Sequence, residues 1–540
     1  MEFSPVRKPV EVDHRITTTP MPALTPITLF GIFAVSILYF ADILIRSSQK
    51  LYWSDELFTV YLCQLPTFKG TWHAVLNGAD FNPPLFYLLT RISEALFGHG
   101  LIATRLPATV GMWLFGLCLF TFVTRRVGAI AGSIAALFPF FTLANYYAYE
   151  ARPHGLVLGW CGLALLCWQM TTESKTKNYL WSLALFASLV GAALTHVFAI
   201  YLLAPFGCAE LFVLVRERRI NWSAVLPLVA TPVIAVPIYL PMLRVYRLLF
   251  HQVGGLQQRP LDVMQAFLSS LLDPAITFAF IVLVFLAFVA LRQRQSHASA
   301  PTIPEREFVL AIAFACLPVF GLVGVKITHG VFFDRYFLAS TAGWSMLLGF
   351  VTSKVLERSS LSKWLLAALL ALFMADVGMA VRHLANHSDF ALIEPASKMA
   401  FSSDVNQPML RHEALIHPQD GRDILVLKEL DYIYLFHYAP PAVASRLYDG
   451  ALNDDDVMLN AFRLLHTWAG VDLKTSTLDA FLKSHQQFLV YSGSGGPFEA
   501  QCGDCVDIIQ KAGFHLASEQ RDQDGVLYSY ESTGSNARPD

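Results

Sequence analysis

The sequence predicts a polytopic α-helical membrane protein that ends in a water-soluble α/β domain. Three observations carry that prediction. The 540 residues are 55% hydrophobic and 15% charged, with a mean hydropathy of +0.48; an average soluble protein is about 25% charged. The charge is unevenly spread. Residues 1–380 hold 27 basic and 19 acidic side chains, about 12% of that part, whereas residues 381–540 hold 12 and 22, about 21%. The first part also contains about eleven apolar stretches, give or take two, that are long enough to be membrane helices. This composition excludes disorder, a collagen-like fibre and an ordinary cytosolic enzyme. The net charge of −2 gives no reason to expect nucleic acid as a partner.

Crossing ~30 Å of hydrocarbon takes about 20 predominantly apolar residues. The candidate spans lie near 27–45, 101–123, 128–145, 155–170, 179–195, 197–215, 223–243, 275–291, 307–325, 337–352 and 364–380. Orientation follows from Lys and Arg near their ends. With the N-terminus inside, six inner segments hold 16 basic residues, among them Arg125, Arg126, Arg216, Arg218, Arg219, Arg292 and Arg306. The longer outer segments hold the other 11 of the 27. An odd number of crossings then places the C-terminal part outside. The expected organisation is a cytoplasmic tail (1–25), a transmembrane domain (26–384) and an extracytoplasmic α/β domain (385–540). The first apolar run reads as a retained anchor, because no small-residue cleavage site follows it.

This topology collects the unusual polar residues at the outer surface. The first outer loop, about 46–100, holds Trp53-Ser54-Asp55-Glu56 and then Asp80-Phe81-Asn82-Pro83-Pro84. Tyr149-Glu150-Ala151-Arg152-Pro153-His154 follows the third span, His196 sits at the next outer turn, and Asp334-Arg335-Tyr336 precedes the tenth span. Each has a plain structural alternative. Asp55-Glu56 fits a helix N-terminus, and Asn82-Pro83-Pro84 fits a helix start. Arg152 and Arg335 fit interfacial anchors, and His196 fits a capping or packing residue. The segment 85–97 has helical periodicity but is short and polar, so it reads as an amphipathic helix lying in the interface. Together the alternatives weaken. Ionisable groups near hydrocarbon are costly and face a cavity or one another. Carboxylates and guanidiniums gathered at one end of several helices suit a substrate with an anionic headgroup and a lipid tail.

At these residues the sequence resembles the GT-C glycosyltransferases. Trp53-Ser54-Asp55-Glu56 is similar to their acidic first-loop motif, and Asn82-Pro83-Pro84-Leu85-Phe86-Tyr87-Leu88-Leu89 to their "(H/N)PPLYYLL" segment. Arg105-Leu106-Pro107, Glu150-Ala151-Arg152-Pro153-His154 and Asp334-Arg335-Tyr336 resemble the later "RLPS", "EARPY" and "RY" elements. The resemblance is to the dolichyl-phosphate-mannose protein mannosyltransferase class, including rhizobial lipopolysaccharide transferases, and covers about residues 27–350. It implies a GT-C-like fold, a polyprenyl-phosphate sugar donor and an active site facing away from the cytoplasm. The related aminoarabinose transferases carry Lys before the Pro-Pro pair, where this chain has Asn82.

By that resemblance Asp55 is the base of a single inverting displacement. A lipid phosphate is a weakly basic leaving group, so charge stabilisation replaces the acid that a glycosidase needs. Arg152 and Arg335, with His154, are the candidates for holding the phosphate. Glu56 and Glu150 are expected to bind the sugar or orient the arginines. Asn82, His196 and Tyr336 complete the expected substrate-binding set. The acceptor class stays open between a cell-surface glycan, a lipid and a protein. No cofactor or metal is required by any ligand cluster, and a divalent cation bridging the phosphate is left as an alternative. The competing function is a lipid or glycolipid transporter or flippase, which would show internal repeats and broken helices at mid-membrane depth. The expected location is a bacterial inner membrane.

In the outer domain, 423–427, 487–491 and 526–530 read as strands, and Leu430–Tyr438 and Asp479–His485 as helices. Ser492-Gly493-Ser494-Gly495-Gly496 reads as a turn and Asp454-Asp455-Asp456 as a solvated loop. Six of the eight cysteines are scattered singly. Cys502 and Cys505 fit a local disulfide, with a redox or half-zinc site as the alternative.

Overall fold

The computed structural model describes residues 24–173, 178–255, 274–292, 303–328, 333–356, 361–386, 416, 419–427, 429–451, 457–493, 503–521 and 525–533. Helix α1 (Pro26–Gln49) starts at Thr25, whose side chain accepts from the Thr28 amide. It buries one narrow face bearing Tyr39, Asp42, Ile43, Arg46 and Ser47 and leaves Ile27, Phe30 and Phe33 exposed. An inside-out distribution of this kind suits hydrocarbon rather than water. Three short helices then fill the long connection between α1 and the next long helix: α2 (Ser54–Cys63), α3 (Phe68–Leu76) and α4 (Pro84–Phe97). Pro83 caps α4 and Pro84 opens it, a position where a missing N–H costs nothing. Helix α4 buries Phe86, Tyr87 and Thr90 and exposes Ile92, Leu96 and Phe97, the amphipathic division the sequence led us to expect.

The bundle continues with α5 (Leu101–Val127), α6 (Ala129–Leu137), α7 (Leu143–Tyr146), α8 (His154–Glu173), α9 (Asn178–Thr195), α10 (Leu203–Glu217) and α11 (Trp222–Gly255). Further helices run Pro274–Arg292, Glu305–Ala315, Leu317–Thr328, Ser340–Leu356 and Leu361–Asn386. Among the described residues seven helices are long and apolar enough to span, and nine if the two bent pairs each count as one span. The bends, 67° before Leu143 and 54° before Leu317, fall in the third and ninth expected spans. The two remaining expected spans are the helices Pro274–Arg292 and Ser340–Leu356.

Small residues set a close contact between α5 and α8. A Cβ built on Gly111 of α5 would lie 2.4 Å from the Gly155 carbonyl oxygen, and one on Gly159 of α8 would lie 2.7 Å from the Gly111 Cα. Backbone touches backbone here, as small-residue seams in membranes allow. Overpacking typically costs about 1–3 kcal/mol and occasionally more. Gly159→Leu is therefore expected to lower the melting temperature in detergent by several degrees; an unchanged melting temperature would show that α5 and α8 do not pack this way.

The C-terminal domain carries one six-stranded sheet, in the order β3-β2-β1-β4-β6-β5. The strands are β1 (Ile424–Val426), β2 (Leu447–Ala451), β3 (Lys474–Thr477), β4 (Gln487–Gly493), β5 (Phe514–Arg521) and β6 (Gly525–Ser532). The first four are mutually parallel, and β6 pairs antiparallel with both β4 and β5. The helix Glu429–Tyr438 crosses from β1 to β2, and the helix Val457–Ala469 lies between β2 and β3. Cys505, buried, is disulfide-bonded; its expected partner Cys502, the loop acids 454–456 and residues 494–496 lie outside the described residues.

This sheet domain and the connection between α1 and α5 share one apolar core. Leu57, Phe58, Tyr61 and Leu62 of α2 cluster with Tyr432, Ile433, Phe462 and Leu465. Phe58 stacks on Phe462 at 5.8 Å, and Asn460 donates to the Asn77 carbonyl at 2.9 Å.

Candidate active site

Helix α2 presents two adjacent acids that the fold treats differently. At its start the Trp53 amide donates to the Glu56 carboxylate at 3.3 Å, the acidic half of a capping box. Glu56, fully buried, also takes a two-pronged hydrogen bond from Arg105, 2.8 Å to each oxygen, and a 2.6 Å bond from the Ala151 amide. Arg105 spends its other donors on the carbonyls of Ser47, Lys50 and Leu51. Beside it Lys50 donates to Glu150 at 2.7 Å. The expectation that Glu56 and Glu150 hold sugar or orient Arg152 and Arg335 meets a different placement. Both carboxylates sit inside the protein and tie α1, α2, α5 and the 150–152 turn together.

Asp55, one residue earlier, points the other way. Its side chain is 21% exposed, makes no hydrogen bond among the described residues, and lies 3.6 Å from the Arg335 guanidinium. The carbonyl of Asp55 accepts from Arg152 at 2.9 Å. The same Arg152 nitrogen reaches Asp80 at 3.0 Å. Asp80 is a buried hub that also accepts from Tyr87 Oη at 2.7 Å, the Phe81 amide at 2.7 Å and Asn82 Nδ2 at 3.4 Å. Asn82 is thus a brace for Asp80, itself buried. Burial works against the charge on Arg152, but Asp80 and then Asp55 outweigh it and hold the guanidinium firmly protonated.

Arg335 enters from the loop before Ser340–Leu356, in a single 3₁₀ turn, Asp334–Phe337. Its guanidinium lies over the rings of Phe333 (4.8 Å), Tyr336 (5.7 Å) and Trp53 (6.0 Å), contacts that fix a cation without neutralising it. Behind it His154, His196, Phe198 and Tyr336 pack ring against ring, His196 5.0 Å from both His154 and Tyr336 and Phe198 stacked on Tyr336 at 4.2 Å. His196 caps the turn Val197–Leu202, its Nδ1 accepting the Phe198 amide at 3.2 Å. Burial, with Arg152 and Arg335 nearby, pushes its pKa down to about 3, so it is a neutral imidazole at physiological pH. A crevice opens between these groups, with Arg335, His196, His154 and Tyr336 at its polar part and Leu158, Leu202 and Leu317 along its apolar wall.

The fold therefore brings six of the nine expected residues to one place: Asp55, Arg152, His154, His196, Arg335 and Tyr336. Asn82 stands behind them through Asp80. Sequence reasoning passed over Asp80, Lys50 and Arg105 as working parts, although Asp80 and Arg105 lie in quoted motifs. Tyr246, whose hydroxyl donates to the Phe81 carbonyl and steadies the Asp80 loop, carries no signal within the apolar helix α11. No group of three or more His, Cys, Asp or Glu side chains among the described residues is arranged to hold a metal ion.

Comparison with known proteins bears on the family and the fold. Residues 82–244 match the family described as dolichyl-phosphate-mannose-protein mannosyltransferase, which bears out the resemblance read from the motifs. The fold is similar to two crystal structures of ArnT from Cupriavidus metallidurans. For the one bound to undecaprenyl phosphate, identity is 16% and the TM-score 0.52, over 95% of this chain and 100% of that one. For the apo state, identity is 14% and the TM-score 0.51, over 93% and 97%. At such identities the likeness establishes the fold, that of the GT-C membrane glycosyltransferases. No curated protein sequence matches the chain.

Proposed function

We propose that this protein is an inverting glycosyltransferase that moves a sugar from a polyprenyl-phosphate carrier to an acceptor hydroxyl outside the cytoplasm. One observation carries the reading: Asp55 keeps an open carboxylate beside Arg335 and Arg152, while Glu56, Asp80 and Glu150 are committed to buried partners. The likeness to an ArnT structure bound to undecaprenyl phosphate supports a lipid-phosphate carrier.

In the proposed step the acceptor oxygen attacks the anomeric carbon and its proton passes to Asp55. The bond from that carbon to the phosphate oxygen breaks, and the electron pair leaves with the lipid phosphate. Asp55 supplies general-base catalysis. Arg335 and Arg152 stabilise the phosphate charge as it develops, in a site whose donors are already in place. The neutral His196 adds no positive charge, and its ring confines Tyr336 and Arg335.

The opposite ends of the helices favour an enzyme over a transporter. Arg126 is paired with Glu307 at 2.7 Å, and Arg125 with Glu173, so ion pairs tie α5 and α8 to the helix Glu305–Ala315 away from the crevice. The excess of basic residues in the inner loops and the disulfide-bonded Cys505 support an N-terminus in the cytoplasm and a C-terminal domain in an oxidising compartment, as in a bacterial inner-membrane protein with its sheet domain in the periplasm.

The experiment is binding of undecaprenyl phosphate to the purified full chain. Arg335→Ala is expected to weaken it about tenfold or more, since hydrogen bonds to charged groups are worth about 1.5–3 kcal/mol. Unchanged affinity would make Arg335 a packing residue only.

A further inference from the structure

Residues 51–53 join α1 to α2 outside regular secondary structure, so the Tyr52 amide and carbonyl need partners from elsewhere. At Tyr52 the missing partners come from the C-terminal domain. The Tyr438 hydroxyl accepts the Tyr52 amide at 2.7 Å and donates to the Tyr52 carbonyl at 3.3 Å. One side chain thus occupies both backbone groups of a residue three positions before Asp55. The neighbouring His437 places Nδ1 2.9 Å from the Tyr61 hydroxyl, two turns further along α2. The Phe58–Phe462 stack lies between them. The sheet domain therefore grips α2 ahead of its start and near its end. From below, Arg105 lies 5.0 Å from the Tyr52 ring, and Tyr52 Oη meets Thr104 Oγ1 at 2.9 Å. Tyr52 is pinned from both sides.

We propose that Tyr438 is a positioning residue for sugar transfer: by holding both backbone groups of Tyr52 it sets the height and pitch of the helix that carries Asp55, so that the C-terminal domain must be docked for the reaction to proceed. The proposal rests on the catalytic reading of Asp55 above. Its physical basis is the sensitivity of proton transfer to placement, since an error of about 1 Å costs up to ~10²-fold in rate. Tyr438 touches no substrate in this scheme. It acts through Tyr52 and the first turn of α2.

The test uses the full chain and two measurements: binding of undecaprenyl phosphate to purified protein, and formation of the glycosylated product that mass spectrometry identifies as missing in a deletion strain. Tyr438→Phe keeps the ring and removes the hydroxyl. It is expected to bind undecaprenyl phosphate as the wild type does and to form about tenfold less product or lower. Product within twofold of wild type overturns the proposal, and so does a loss of product matched by an equal loss of lipid-phosphate affinity. Should Tyr438→Phe fail to fold, Tyr61→Phe removes the second grip and is expected to show the same split. Failure of both variants to fold would make the hydroxyls purely structural and overturn the proposal. Asp55→Asn separates the two levels. If it transfers normally, the catalytic reading fails and this inference with it; if it is inactive while Tyr438→Phe is normal, only this inference fails.

Discussion

Asp55→Asn is expected to abolish product formation, by ~10² or more, while the protein folds and still binds undecaprenyl phosphate. The substitution is nearly isosteric and removes the negative charge together with the ability to take a proton. Asp55 is partly exposed and makes no hydrogen bond among the described residues, so little structure depends on its charge. The measurement is product per mole of folded protein, by mass spectrometry, with melting temperature and lipid-phosphate affinity as controls. Near-normal transfer would remove Asp55 from the mechanism and leave the crevice a binding site without an assigned base.

Arg105→Ala is expected to act through stability instead. It would leave Glu56 fully buried with only its two amide donors and a Lys50 ammonium 4.0 Å away. It would also strip donors from the carbonyls of Ser47, Lys50 and Leu51. Breaking a buried pair by removing one partner costs about 3–5 kcal/mol. A sharply lower melting temperature in detergent is the expected result. The paired change Arg105→Met with Glu56→Leu should recover part of it, because it removes both charges at once. An unaltered melting temperature in Arg105→Ala would mean that the pair is not formed.

These two residues show how the site is layered. Four acids lie within or beside the same motifs, and only their burial separates structural from chemical roles. Glu56, Glu150 and Asp80 give the first loop a fixed shape by meeting Arg105, Lys50 and Arg152 across long sequence distances. Asp55 is what that shape exposes.

The helices were legible because membrane spans write themselves in hydropathy: each expected span coincides with a helix or a bent pair. Pro83-Pro84 pointed to the start of α4 because proline is favoured at the first helical position, where its missing N–H costs nothing. The partners of the acids were not legible. Nothing local in Glu56 reveals that a residue 49 positions later will neutralise it. The sheet domain was read in part for a similar reason. The buried strands β1, β4 and β6 show apolar runs, whereas β3 reads Lys-Thr-Ser-Thr and β5 is exposed along most of its length. Strand β2 was missed because Asp449 and Gly450 interrupt its apolar pattern. The grip of Tyr438 on Tyr52 joins residues 386 positions apart, which no periodicity can signal.

The central claim is that an acid from the first outer loop and two guanidiniums from distant segments form one lipid-phosphate site. Photo-crosslinking of a diazirine-bearing undecaprenyl phosphate to the purified full chain, followed by peptide mapping, tests it most directly. The account predicts labels on the crevice segments around His154–Leu158, His196–Leu202 and Arg335–Ala339, displaced by excess undecaprenyl phosphate. Labels confined to the opposite helix ends, around Arg125, Glu173 and Glu307, would contradict it.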